Sequence, residues 1–404
     1  MGVGHIEAKA ACRHGLDTRS GIWKTIQRWV GRILCSDAPN TSPVTSSASC
    51  SLLQKQTDED DYLARQVQEI YKPSFYASPS PHCGRLTRKS VRSEVLSQKY
   101  HLTLPVPLAS APVTGDSRSI IDLSAFLDDL PSIVEPIIKK TSPETLVERM
   151  FPALTSHHGA RYLAACFWCW LCILDDLTEG KDTTAALQQC IVVLCLSPYD
   201  QTPLSPLVSR LMGGLRHAVQ TISIAKPDSV HGADTIFEPW KMVFWFEVQA
   251  VARALLGEND LEDAKFTMIQ WLDLRVVTIS ARPLLVLLGA SCGLSVTSDT
   301  LTAGPLTNLP LILGLENDIL GFDKDHNANN PLSAVQLLIR DGLIKKRSLL
   351  RIADRHNSLV KELVMARNQF RGSEAERFYV NTAASWPNAM IEWMLSCERY
   401  KVNA

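Results

Sequence analysis

The chain of 404 residues has no surplus of either charge: 41 Lys and Arg stand against 42 Asp and Glu, a formal net charge of −1. No global field attracts a polyanion or an anionic membrane, so nucleic acid is not an expected partner. It also lacks any run of roughly eighteen uninterrupted apolar residues, and no transmembrane segment is predicted. Met1 to Gly15 mixes charges and has no apolar core of the secretory kind. The 11 cysteines are therefore read as reduced thiols of a cytoplasmic protein rather than as a disulfide framework. Strand-like alternation is nearly absent and no fixed period repeats, which argues against a sheet architecture and against a solenoid.

What the chain does have is helical periodicity and apolar residues, 46% of the total, enough for a substantial core. From Ile120 onward, long helical segments are predicted near 120–140, 158–179, 183–196, 204–224, 236–257, 260–290, 305–323, 332–370 and 373–398. Ser142-Pro143-Glu144 and Asn330-Pro331 place a capping side chain before a proline at a helix start. Tyr162–Leu174 and Val276–Gly289 are apolar on more than one face, as central helices are. The expected fold is an all-α, single-domain bundle of about ten helices over residues 119–404. Residues 1–118, rich in Ser, Thr and Pro, are expected to form a largely irregular arm. Within it, Ile22–Leu34 sets Trp23, Ile26, Val30 and Leu34 against a basic face of Lys24, Arg28 and Arg32. That segment is either a surface helix for membrane or targeting, or a helix packing on its own domain.

Two acidic clusters carry the chemistry. The first, Asp175-Asp176-Leu177-Thr178-Glu179, ends the apolar run Phe167–Leu174. Asp175 and Glu179 lie four apart on one helical face with Asp176 beside them, and like charges so placed repel unless a cation joins them. In the second, Asn317, Gly321 and Asp325 fall at i, i+4 and i+8, with Lys324 adjacent. Amide, water and carboxylate oxygens suit Mg²⁺, which takes few protein ligands and keeps waters. Oxygen donors where buried helices emerge suggest an apolar pocket with hard-cation ligands at its mouth, which fits a greasy substrate bearing a diphosphate.

The pair of clusters resembles the two metal motifs of class I terpene cyclases, DDxx(D/E) and (N/D)Dxx(S/T)xxxE, and is most similar to those of fungal sesquiterpene cyclases. Gly321 stands where that pattern has Ser or Thr, and Asp325 where it has Glu. Arg275, about forty residues before the second cluster, is similar in placement to the family's diphosphate-sensing arginine, and Arg399-Tyr400 resembles its RY pair. The resemblance implies a class I terpenoid synthase-like bundle with a central apolar cavity, residues 119–404 being the catalytic domain. It implies metal ligation by Asp175, Asp176, Glu179, Asn317, Gly321 and Asp325, with Mg²⁺ as cofactor, three ions in the family, and Mn²⁺ able to substitute. Arg275, Lys324, Arg399 and Tyr400 would hold the diphosphate. Trp393 would face the carbocation, with Trp168, Phe244 or Trp245, and Trp271 as further aromatic candidates. The implied reaction is cyclisation of a prenyl diphosphate, farnesyl diphosphate first, by a monomer or homodimer. A chain-elongating prenyl diphosphate synthase and a non-catalytic helical interaction protein are the alternatives.

Three weaker signals are set aside. Cys166, Cys169 and Cys172 mimic iron–sulfur spacing but lie in an aromatic-rich helix without the trailing Cys-Pro. His157-His158 has no acidic or thiol partner nearby in sequence. Gly213-Gly214 is neither preceded by a strand nor followed by Gly-Lys-Ser/Thr.

Overall fold

The computed structural model describes residues 86–105, 121–128, 130–151, 157–178, 206–222, 239–262, 266–297 and 304–400, with a few isolated positions besides. All of these segments belong to one compact unit, Ile70–Ala404; the other unit is Met1–Glu69. The amphipathic segment Ile22–Leu34 and the acidic Glu179 lie outside the described residues.

The described body is helical, as expected. It begins with α1 (Ser124–Leu127), α2 (Glu135–Thr141), α3 (Pro143–Met150) and α4 (His158–Thr178). Then come α5 (Pro206–Thr221), α6 (Pro239–Glu262), α7 (Met268–Thr278) and α8 (Ala281–Ser291). The C-terminal part holds α9 (Leu309–Leu320), α10 (Phe322–Asn327), α11 (Ala334–Arg340), α12 (Lys345–Gln369), α13 (Glu374–Ala383) and α14 (Trp386–Ser396). Arg399 and Tyr400 close the described chain in a short 3₁₀ turn.

The helices without a polar face are the central ones. Leu163 to Leu174 of α4 and Pro283 to Ser291 of α8 are buried without interruption, and the two helices touch. Around them α4 meets α3 and α5, α6 meets α7 and α8, and α9 meets α7, α12 and α14. Met268–Ser291 is apolar enough to cross a membrane, with mean hydropathy 1.5, yet 72% of that window is buried inside the protein. Its hydrophobicity serves the core.

Several expected long helices are broken, each for a local reason. The 260–290 segment divides at Ser280, whose φ of 61° is left-handed. The 332–370 segment divides at Gly342, φ 96°. The 373–398 segment divides before Trp386-Pro387, with proline in the first turn of α14. Pro143 opens α3 as expected, but Ser142 has φ 44° and makes no side-chain cap. The cap expected at Asn330 is displaced to Ser333, whose hydroxyl accepts from Gln336 N–H at the start of α11.

The arm expected through residue 118 contains ordered structure. Strands β1 (Leu86–Ser93) and β2 (Gln98–Pro105) pair antiparallel as a hairpin, with Val91 opposite Tyr100. Tyr100, Leu102 and Leu104 are buried while Lys99 and His101 are exposed, the period of two that a half-buried strand requires. β1 is polar along most of its length, which dilutes the signal. The hairpin lies on α12 and α14: Asn357 Oδ1 accepts from Thr103 N–H at 2.6 Å, and Asn388 Nδ2 donates to Pro105 O at 2.8 Å.

Candidate active site

α4, α7 and α9 bring the two acidic clusters and Arg275 to one cavity of about 130 Å³. Asp175, Arg275, Asn317, Gly321, Lys324, Asp325, Trp393, Arg399 and Tyr400 all line it. Asp176 is not in the wall: it faces Arg399 Nη2 at 2.8 Å and Lys140 Nζ at 4.0 Å. Trp168 and Trp271 line the cavity, whereas Phe244 meets Phe167 and Trp245 edge-on in a separate aromatic cluster. The volume is below the roughly 300–1,000 Å³ of typical ligand pockets. Its rim is drawn together by its own charges.

Arg275 is the hub of that rim. Its Nε pairs with Asp318 Oδ1 at 2.9 Å, its Nη2 donates to Asn317 Oδ1, and its Nη1 lies 4.0 Å from Glu258. The guanidinium also sits 5.4 Å from the Trp271 ring centre, a cation–π distance. Its aliphatic stem crosses α9 at Gly314, where a Cβ would come within 2.9 Å of Arg275 Cγ, so a bare backbone is needed there. Asp318 is in turn fixed by the Trp271 indole N–H at 2.9 Å and the Ala334 N–H at 2.8 Å. Burial raises the Asp318 carboxyl, and these donors with Arg275 oppose it.

The second cation, Arg399, is buried and joins the first cluster to the C-terminus. Its Nη2 pairs with both Asp175 and Asp176. Burial opposes its charge, but Asp175, Tyr400 and Asp176 hold it firmly cationic. Burial alone would raise the Asp175 carboxyl; Arg399, then Lys324 and Arg275, bring it below the ordinary carboxylate range. Asn317 Nδ2 donates to Tyr400 Oη at 2.8 Å, linking the second cluster to the same terminus. Trp393 meets Tyr400 and Trp168 edge-on, each with ring centres 5.7 Å apart, and its indole N–H donates to Thr141 O at 2.7 Å. That hydrogen bond locks the ring in the cavity wall.

Gly321 has a structural reason as well as a sequence position. A Cβ there would come 2.7 Å from Asn317 O and 3.3 Å from Asp325 Oδ2. A side chain there would force the Asn317 carbonyl or the Asp325 carboxylate to shift. Desolvation pushes the Asp325 carboxyl up to about 7, although Lys324, whose Nζ is 4.0 Å away, and the more distant Arg275 and Arg399 oppose it.

The sequence reasoning missed Glu258, Thr278 and Asn330 as wall residues and Asp318 as the anchor of Arg275. Asp318 had a signal, since it is the second residue of the second cluster. Glu258 had none: it is one more charge on the long helix α6. In the structure its carboxylate accepts from Thr278 Oγ1 at 2.6 Å and is pushed by burial up to about 7, with Arg275 opposing.

Among the described residues no preassembled group of three or more His, Cys, Asp or Glu side chains could hold a metal. The donors that the two clusters turn to the cavity are nevertheless oxygens, from Asp175, Asn317 and Asp325; Cys172 also lines it, but burial pushes its thiol up to about 12 and so keeps it protonated. That set, with one carboxyl raised by burial, fits a hard divalent cation rather than zinc or an iron–sulfur cluster. Cys166, Cys169 and Cys172 are buried and free, and burial pushes the Cys166 and Cys172 thiols up to about 12. They act as small apolar side chains.

The helical body thus sets oxygen donors from two clusters and a cationic rim over one cavity. Residues 166–362, just under half of the chain, match the family model described as terpene synthase family 2, C-terminal metal binding. No curated protein matches it by sequence. Among solved structures, linalool/nerolidol synthase from Streptomyces clavuligerus, in complex with 2-fluorogeranyl diphosphate, is similar with a TM-score of 0.52 and 16% identity, over 72% of this chain and 99% of that one. A hedycaryol synthase is similar with a TM-score of 0.50 and 15% identity, over 68% of this chain and 90% of that one. At these identities the likeness is one of fold.

Proposed function

We propose that the chain is a Mg²⁺-dependent sesquiterpene cyclase that ionises farnesyl diphosphate and closes the resulting carbocation to a cyclic hydrocarbon or alcohol, releasing diphosphate. One observation carries this reading: Arg275, Lys324, Arg399 and Tyr400 share a rim with Asp175, Asn317 and Asp325, above a wall containing Trp168, Trp271 and Trp393. The cations at present hold the oxygen donors themselves: Arg399 pairs with Asp175, and Arg275 donates to the Asn317 amide oxygen. Binding exchanges those partners. Asp175, Asn317 and Asp325 would hold Mg²⁺ or Mn²⁺, with Glu179 in the same cluster, and the bound ions supply positive charge to the departing diphosphate. Arg275 and Arg399 then turn their planar donors to phosphate oxygens, Lys324 adds a point charge, and the Tyr400 hydroxyl donates a hydrogen bond.

The same exchange opens the contracted cavity and delivers the isoprenoid chain to the aromatic wall. Ring faces there stabilise a cation by about 0.5–2 kcal/mol each and exclude water. Trp393 is the best placed, since its indole is fixed by Thr141 and it borders both Trp168 and Tyr400. Trp393→Ala is therefore expected to move products toward acyclic and early-quenched species. Gas chromatography of the product mixture checks this, and an unchanged profile would make Trp393 ordinary core.

The reading as a whole is tested by incubating the purified full chain with farnesyl diphosphate, with and without Mg²⁺, and analysing an organic extract by mass spectrometry. A metal-dependent C15 cyclic product is expected. Metal-dependent products from geranyl or geranylgeranyl diphosphate alone would correct the chain length, and none from any of the three would overturn the proposal.

A further inference from the structure

The residue between the two inward-facing donors of the second cluster points the other way. Asp323 is two positions before Asp325, close to half a helical turn, so one helix cannot present both to the cavity. Its carboxylate is taken by the hairpin: Ser93 Oγ donates to Asp323 Oδ1 at 2.6 Å and the Glu94 N–H donates to Oδ2 at 2.6 Å. Both bonds come from the end of β1 and the turn after it. The far end of the hairpin is tied to α12 and α14 through Asn357 and Asn388.

We propose that the β1–β2 hairpin is a positioning element of the second metal cluster, in which Ser93 and the Glu94 backbone grip Asp323 and so set the rotation of α10, the helix that turns Lys324 and Asp325 into the cavity. This rests on the metal-binding reading of that cluster given above.

The need for an outside grip follows from α10 itself. It has six residues, Phe322–Asn327, too few to be stable alone, and no side-chain cap at its N-terminus. It hangs between Gly321, the bare hinge, and Asn329 in the left-handed region at φ 54°. Buried Phe322, stacked on His326, anchors its apolar side. An apolar anchor resists separation from the core; two directional hydrogen bonds on one carboxylate also resist rotation. Rotation is what matters for Asp325, because a metal ligand must be aimed as well as near. Tyr100 adds a further tie from β2: it is buried, with its hydroxyl 3.5 Å from Ile319 O on α9.

The test is isothermal titration of Mg²⁺ into the full chain in the presence of inorganic diphosphate, well below the melting temperature. Asp323→Ala, which removes both bonds, is expected to weaken Mg²⁺ binding about ten-fold or more, the usual loss on removing a partner that orients a ligand. Ser93→Ala should weaken it less, and Ser93→Thr, which keeps the hydroxyl, should restore it. Melting temperatures close to the unsubstituted chain are expected throughout. Should Asp323→Ala fail to fold, the contrast between Ser93→Ala and Ser93→Thr decides. Unchanged affinity in both alanine variants would leave the hairpin as a mere cover and overturn the proposal. No Mg²⁺–diphosphate binding by the unsubstituted chain would instead overturn the functional reading on which it rests.

Discussion

Asp175→Asn is expected to lower turnover of a prenyl diphosphate about a hundred- to a thousand-fold, the scale on which removing one preorganised charge-stabilising group acts, with little change in melting. The two effects separate because Asp175 does different amounts of work in the fold and in the site. Its side chain is 43% exposed, against 6% for its partner Arg399, and a half-exposed ion pair contributes at most about 1 kcal/mol. Arg399 moreover keeps Asp176 at 2.8 Å when Asp175 is neutralised, so no buried charge is stranded. Among the described residues of the first cluster the site has no such substitute. Asp176 is turned away toward Arg399 and Lys140, and Asp175 is the first-cluster carboxylate that the structure places in the cavity wall. Its low proton affinity, set against burial by Arg399, Lys324 and Arg275, keeps it anionic and ready for a cation. Steady-state assays at several Mg²⁺ concentrations, with a thermal melt of the same sample, check the prediction. Turnover within ten-fold of the unsubstituted chain at high Mg²⁺ would remove Asp175 from the metal site.

The residues that sequence could place are those whose chemistry is written in one stretch of chain. Asp175 ends an unmistakably apolar helix, and Asn317, Gly321 and Asp325 share one face by spacing alone; both stretches line the same cavity. The all-α body was equally legible, because α4 and α8 have no polar face and so had to be central. Other features depend on partners distant in sequence. Glu258 matters only because Arg275 and Thr278 from the next helix close on it. Breaks at Ser280 and Gly342 depend on single left-handed residues inside periodic runs, and a window long enough to detect a helix averages over them. The hairpin was hidden for the opposite reason: β2 alternates cleanly, but its mate β1 carries Arg88, Lys89 and Arg92 outward and reads as a polar loop.

A second large effect concerns pH. Burial pushes the carboxyls of Glu258, Glu316 and Asp325 up to about 7 each, from an ordinary 4 to 4.5 in the unfolded chain. A group raised on folding stabilises the fold fully below its unfolded pKa, and that contribution is lost as pH rises through the folded value. The melting temperature should therefore fall between about pH 4 and pH 7, the reverse of ordinary acid denaturation. Each shift of this size is worth on the order of a few kcal/mol. Asp175 works with the opposite sign: held below its ordinary value, it contributes stability that is lost as pH falls below about 4. The stability maximum thus lies on the acid side of neutrality. Glu258→Gln, which keeps the shape and can still accept from Thr278 Oγ1, should flatten the fall. Mg²⁺ with inorganic diphosphate should flatten it too, because a cation beside Asp325 compensates the charge that burial penalises. Thermal melts at several pH values, with and without those additions, decide the matter. A melting temperature that stays level or rises from about pH 4 to pH 7 would mean that water reaches Glu258 and Asp325, and that the cavity they line is open before any ligand arrives.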